Sequence, residues 1–140
     1  MTNKAPHKLA VIGSPIGQSL SPKLHNYWMA KLDIDGLYIT KDVPEGCLEQ
    51  AVISMVDEGY TGWNVTIPHK QAMKKLTQSL DISAEQIGAV NTIVNEGGKL
   101  KGYNTDADGF IAHLNKKAPN WRRDKPALVL GAGGAARAVV

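Results

Sequence analysis

Apolar positions along this chain come in short blocks, some continuous and some at helical spacing. Leu9–Ile12 is a continuous apolar run ending at Gly13, the pattern of a buried parallel strand. A turn-rich, hydroxyl-rich stretch follows, and then Leu24, Tyr27, Trp28 and Leu32 recur at helical spacing. Ser21 reads as the N-cap of that helix and Pro22 as its first residue. Leu37–Thr40 is a second strand. Pro44-Glu45 opens a helix with Leu48, Val52, Met55 and Val56 on one face, and Gly59 closes it. Trp63, Val65 and Ile67 then alternate with Asn64 and Thr66, giving a third strand with one apolar and one polar face. Pro68 stops this strand and suits the first turn of a helix carrying Met73 and Leu76. Strand and helix alternating three times predict an α/β fold, a mostly parallel sheet covered by helices.

The rhythm changes after that. Ala89–Val94, with Asn91 in it, and Lys99–Tyr103 flank Asn95-Glu96-Gly97-Gly98, which is hairpin turn chemistry. Thr105 or Asp106 can cap the next helix, which holds Phe110, Ile111 and Leu114. Residues 116–125 are polar and read as a linker between a domain over 1–115 and a new unit over 126–140. In that unit Ala127–Leu130 is an apolar strand, followed by a glycine turn and the start of a helix. Gly131 and Gly133 are the first two glycines of a dinucleotide-binding fingerprint, with Ala136 in the third small position. The strand and helix around them supply the context that the motif requires. Left unpaired, the Ala127–Leu130 strand would expose backbone and large side chains, so it is expected to pack against something, a second copy of the chain included.

Composition narrows the function little. With 43% apolar and 21% charged residues in 140, the chain suits one soluble domain with a real core. A net charge of +3 does not call for nucleic acid and is compatible with small anionic ligands. One cysteine, Cys47, excludes an internal disulfide and a multi-cysteine metal site; it is expected to be a small buried helix residue. No apolar run reaches membrane-spanning length and no signal-peptide layout is present, so a cytoplasmic setting is expected. His25 and His69 are scattered, and no metal is expected.

The candidate chemistry gathers at the third strand. Asn64 and Thr66 point the same way and offer an amide and a hydroxyl. Lys70 follows in the first helical turn, where the helix dipole and desolvation both act against a charged ammonium. Together they suggest a site for a small hydroxylated substrate; a polar strand edge with a surface lysine is the plainer alternative. Ser19 and Ser21 lie at a strand-to-helix junction, where hydroxyls and free amide donors can take a carboxylate. Asp106 is an ordinary helix cap unless the fold brings it beside Lys70.

Ser19-Leu20-Ser21-Pro22 with His25-Asn26, Asn64–Lys70, Gly88–Thr92, Gly102–Asp106 and Gly131–Arg137 resemble, in order, the motifs of the shikimate dehydrogenase family. The resemblance covers the whole chain, although members of that family are roughly twice as long. It implies reversible, NADPH-dependent reduction of 3-dehydroshikimate to shikimate, in aromatic amino-acid biosynthesis. It further implies that Ser19 and Ser21 bind the carboxylate and that Asn64, Thr66, Asn91 and Asp106 hold the ring hydroxyls. Lys70 would be the general acid/base, with Asp106 beside it. Gly131, Ala132, Gly133, Gly134 and Ala135 would carry the cofactor pyrophosphate. The segment that selects NADP over NAD falls beyond this chain, so the 140 residues alone are expected to be inactive. A quinate/shikimate dehydrogenase and a non-catalytic shikimate-binding fragment are the alternatives.

Overall fold

The computed structural model describes residues 5–140. Its centre is the apolar run of the first block, now β1 (His7–Gly13), with Ala10, Val11 and Ile12 buried. β1 pairs in parallel with β2 (Gly36–Asp42) on one side and with β3 (Gly62–Val65) on the other. The helices crossing between them are α1 (Ser21–Lys31) and α2 (Leu48–Asp57). Beyond β3 the direction reverses. β5 (Thr92–Glu96) runs antiparallel to β3, and β6 (Lys99–Tyr103) antiparallel to β5. A short β4 (Ser79–Leu80), not foreseen, joins β6 in parallel, so the sheet order is β2-β1-β3-β5-β6-β4. The turn of the predicted hairpin contracts to Gly97-Gly98, both at positive φ, as a tight two-residue connection requires.

One face of the sheet carries the larger core, built on Ile12, Met55, Trp63, Met73, Val90 and Ile93; α2 contributes Leu48, Val52 and Met55 to it. α3 (Lys70–Met73) continues as a 3₁₀ turn over Lys74–Leu76, and α4 (Ile82–Ile87), also unforeseen, leads through Gly88 at φ 72° toward Asn91. α5 (Asp106–Lys117) runs past the predicted domain end at residue 115 and buries none of its side chains. Among the described residues no helix is long and apolar enough to cross a membrane.

Several expectations need correction. Ser21 is the first residue of α1 rather than its cap, a place taken by Leu20 without a side-chain bond. Leu24, Tyr27, Trp28 and Leu32 are exposed, and the one buried residue of α1 is Met29. α2 begins at Leu48, because Gly46 at φ 87° and a Cys47 N–H to Pro44 carbonyl bond (3.1 Å) first form a turn. Cys47 caps that helix and is exposed. Ile67 also faces solvent, since the strand has ended at Val65. Ala127–Leu130 forms no strand, and of its large side chains only Val129 is half-buried: Leu128 is 85% and Leu130 88% exposed. An extended segment becomes a strand only against a neighbour's ladder, and none of the six strands offers it one. After it, α6 (Gly134–Arg137) returns toward the sheet.

Asp81 fixes the start of α4. Its carboxylate accepts the Ala84 N–H (2.9 Å) and the Ser83 hydroxyl (2.7 Å). Burial raises its pKa, but the Ser83 hydroxyl and the backbone N–H groups outweigh it and hold the carboxyl below the ordinary 3.8. A folded value below the unfolded one means stability that is full above the ordinary value and is lost as pH falls through the lowered one. Asp81→Ala is therefore expected to cost about 0.5–2 kcal/mol at neutral pH. The gap from the parent should close in acid, as read by denaturant unfolding across pH; a gap that persists there contradicts the assignment.

Candidate active site

Reversal of strand direction after β3 brings distant segments to one end of the sheet. Asn64 near the end of β3 lies opposite Thr92 at the start of β5, and Thr92 opposite Tyr103 at the end of β6. The carboxyl ends of β1, β2 and β3 point the same way, which is where open α/β sheets place their ligands.

Lys70 opens α3 immediately after this end. The turn before it is anchored by His69, which is 3% exposed and donates from Nε2 to the Val43 carbonyl (2.6 Å). The Lys70 carbonyl accepts the Val90 N–H (2.7 Å). Its ammonium meets the Asp106 carboxylate, Nζ to Oδ2 2.6 Å, with side chains only 15% and 29% exposed. Asp106 is the first residue of α5, not its cap, and Thr105 makes no side-chain cap either. The backbone is held instead by buried Asn104, whose Oδ1 accepts the Asp106 N–H (2.9 Å) while Nδ2 donates to the Ala89 carbonyl (2.9 Å). Lys70 and Asp106, 36 residues apart, are thus a fixed pair.

Asn91 and Asn64 extend the cluster. Asn91 Nδ2 donates to Asp106 Oδ1 (2.9 Å) and to the Thr105 hydroxyl (3.0 Å). The Thr92 hydroxyl donates to Asn91 Oδ1 (2.9 Å) and accepts from Asn64 Nδ2 (3.0 Å). One ammonium, one carboxylate and two carboxamides in a connected row can grip neighbouring hydroxyls and pass a proton at the lysine end. Thr92 and Asn104 are the members that motif reasoning overlooked. Asn104 sat inside a quoted motif, but its burial had no sequence signal.

The other candidates lie around this row. Ser19 and Ser21 are half-buried, and Ser19 Oγ accepts the Ser21 N–H (3.3 Å). Thr66 and Lys70 line a cleft of about 400 Å³ whose far wall is Gly133, Gly134 and Ala135; Gly131 and Ala132 do not line it. Gly134 is pressed so close that an added Cβ would lie 3.2 Å from Lys70 Cβ and 3.4 Å from Ala89 Cβ. Gly131 holds φ 126°, a conformation suited to glycine. A larger depression of about 640 Å³ runs beside α1 along Leu20, Leu24 and Tyr27, with apolar walls and none of the carboxylate or amide chemistry. Among the described residues no group of three or more His, Cys, Asp or Glu side chains could hold a metal ion.

Comparison with known proteins converges on one family. Residues 11–93 match the model described as the shikimate dehydrogenase substrate binding domain. Shikimate dehydrogenase (NADP(+)) of Mesorhizobium japonicum is 47% identical over 137 residues, which are 98% of this chain and 49% of that protein. The crystal structure of shikimate 5-dehydrogenase from Thermus thermophilus, in complex with NADP(H) and shikimate, superposes with TM-score 0.84 at 40% identity, over 95% of this chain and 50% of that one. The ligand-free 5-ketofructose reductase of a Gluconobacter strain superposes with TM-score 0.81 at 32% identity, over 96% and 48%. The chain spans about half the length of the curated relatives it matches.

Proposed function

The chain belongs to the shikimate dehydrogenase family, and we propose that it forms the shikimate-binding part of an NADP-dependent enzyme that interconverts 3-dehydroshikimate and shikimate. The observation that carries this reading is the 2.6 Å Lys70–Asp106 pair continued by Asn91 and Asn64. A fold shared with a protein named for another substrate leaves the choice of ligand to these side chains. Ser19 and Ser21 hold the carboxylate, and Asn64, Thr66, Asn91 and Asp106 hold the ring hydroxyls. In the reducing direction the Lys70 ammonium gives its proton to the oxygen that becomes the hydroxyl; in the oxidising direction the amine takes that proton back. Asp106 keeps the ammonium aimed between turnovers.

The glycine turn suits the phosphate-bearing part of a dinucleotide: a Cβ on Gly134 would crowd Lys70 at 3.2 Å, and the cleft opens between the two. Gly131, Ala132, Gly133, Gly134 and Ala135 would hold the pyrophosphate. NADPH, when bound, supplies the hydride. A cytoplasmic setting belongs to the same proposal and rests on composition.

Calorimetry with shikimate on the 140-residue chain tests the binding half of the reading, with quinate as the competitor that separates a quinate/shikimate enzyme. No heat with either ligand would overturn it. In the full-length enzyme, Lys70→Ala is expected to lower kcat by roughly two to four orders of magnitude, while shikimate affinity changes far less. Near-normal turnover would remove Lys70 from the mechanism.

Self-association through residues 126–140 is a further part of the proposal, supported by the exposure of Leu128 and Leu130. Burying one leucine side chain is worth about 1.5–3 kcal/mol, so light scattering should show a mass that rises with concentration. Leu128→Ser with Leu130→Ser should abolish the rise; a concentration-independent monomer from the parent chain would refute it.

A further inference from the structure

Two residues of the Ser19–Asn26 motif, His25 and Asn26, have no part in the proposed ligand contacts, and both end on Tyr38. β2 is an outer strand of the sheet, so Tyr38 has one side of its backbone unpaired. The Asn26 carboxamide fills that side: Oδ1 accepts the Tyr38 N–H (2.9 Å) and Nδ2 donates to the Tyr38 carbonyl (2.8 Å). The His25 ring stacks on the Tyr38 ring, centroids 4.4 Å apart and planes 18° from parallel. Tyr38 is 3% exposed, yet its phenol reaches the ligand end of the sheet and donates to Asn64 Oδ1 at 2.6 Å.

The polarity of that last bond is forced from the other end of the row. A carboxylate only accepts, so Asn91 must turn Nδ2 to Asp106 and Oδ1 to Thr92. The Thr92 hydroxyl then donates to Asn91 and can only accept from Asn64. The Asn91 carbonyl takes the second Asn64 N–H (3.3 Å). Asn64 therefore turns Oδ1 to Tyr38, and the phenol must donate. Burial raises the phenol pKa well above its ordinary value, the nearby Ser21 hydroxyl acting the other way, so the proton is present at neutral pH. With both amide hydrogens and one lone pair used, Asn64 has a single acceptor lone pair left for a ligand.

We infer that Tyr38 is a positioning residue: its phenol, held by His25 and Asn26, locks the Asn64 carboxamide so that it offers one acceptor to a ligand hydroxyl. The same contacts tie the helix carrying Ser21 to the hydroxyl-reading side of the site. This inference rests on the shikimate reading for the identity of the hydroxyl, but not for the lock itself.

Tyr38→Phe keeps the ring, its burial and the stack on His25, and removes the phenol oxygen with its bond to Asn64 and its contact with Ser21. Two measurements on the 140-residue chain test it. Without ligand, the Asn64 side-chain amide NMR signals should shift in Tyr38→Phe while those of Asn26 stay in place. With shikimate, Tyr38→Phe should weaken binding about tenfold, the scale of leaving one buried acceptor unpaired. In an Asn64→Ala background the same substitution should have no further effect, a dependence that a merely structural tyrosine would not show. Should Tyr38→Phe fold poorly, His25→Ala, which removes the stack that holds the phenol, should move the same Asn64 amide signals. Unmoved Asn64 signals, unchanged shikimate affinity, or an equal loss with and without Asn64 would each overturn the inference. If the parent chain binds no shikimate, the ligand reading fails, and the amide signals alone decide whether Tyr38 holds Asn64.

Discussion

The interaction on which the site depends is the Lys70–Asp106 pair at 2.6 Å. Its electrostatic contribution is secondary to its directionality. A carboxylate pinned by an ammonium has only acceptors to present, so every amide and hydroxyl after it in the row has one allowed orientation. Asn91, Thr92, Asn64 and Tyr38 inherit that orientation in turn. A row of neutral carboxamides without such an end could be satisfied in either sense and would present donors and acceptors indifferently. Partial burial sharpens the effect, because a wrongly turned amide there leaves groups unpaired at roughly 1–3 kcal/mol each.

That pair exists only because the sheet changes direction. Had the strand after β3 been parallel, its start would lie at the far end of the sheet, and Asn91 and Asp106 with it. The antiparallel β5–β6 hairpin brings the chain back to the end where Lys70 begins α3. The two halves are then stitched by backbone bonds, Val90 N–H to the Lys70 carbonyl and Val65 N–H to the Asn91 carbonyl. Gly134 settles on Lys70 from a third segment, where an added Cβ would crowd the Lys70 Cβ at 3.2 Å.

Much of this was legible in the sequence, and the gaps have physical causes. The apolar run at Leu9–Ile12, the Asn64 alternation and the Gly97-Gly98 turn gave β1, β3 and the hairpin, because local pattern and tertiary environment agree there. The motifs named Lys70, Asp106, Asn91 and Asn64, four residues that the fold joins in one hydrogen-bonded row. Asn104 escaped notice because burial of a single polar residue leaves no periodic trace, and Thr92 because its hydroxyl matters only through the partners the fold sets on either side of it. Ala127–Leu130 looks like a strand in isolation, but strand formation is a property of pairs.

α1 shows most sharply where apolar periodicity misleads. Leu24, Tyr27, Trp28 and Leu32 have helical spacing, yet they lie on the outer side of the helix. The side turned to the sheet is Pro22, His25, Asn26 and Met29, which share the same three-to-four spacing and are half polar. A helix packed on an edge strand meets unpaired backbone as well as side chains, and an amide satisfies that backbone where a leucine would strand it. Asn26 docks α1 at Tyr38 through two bonds of 2.8–2.9 Å, and His25 covers the ring. Polar anchoring also fixes the helix in register and rotation, which a smear of apolar contacts does less well. Ser21, on the first turn of that helix, is therefore placed relative to Asn64 through Tyr38 rather than through the apolar stripe the sequence advertises.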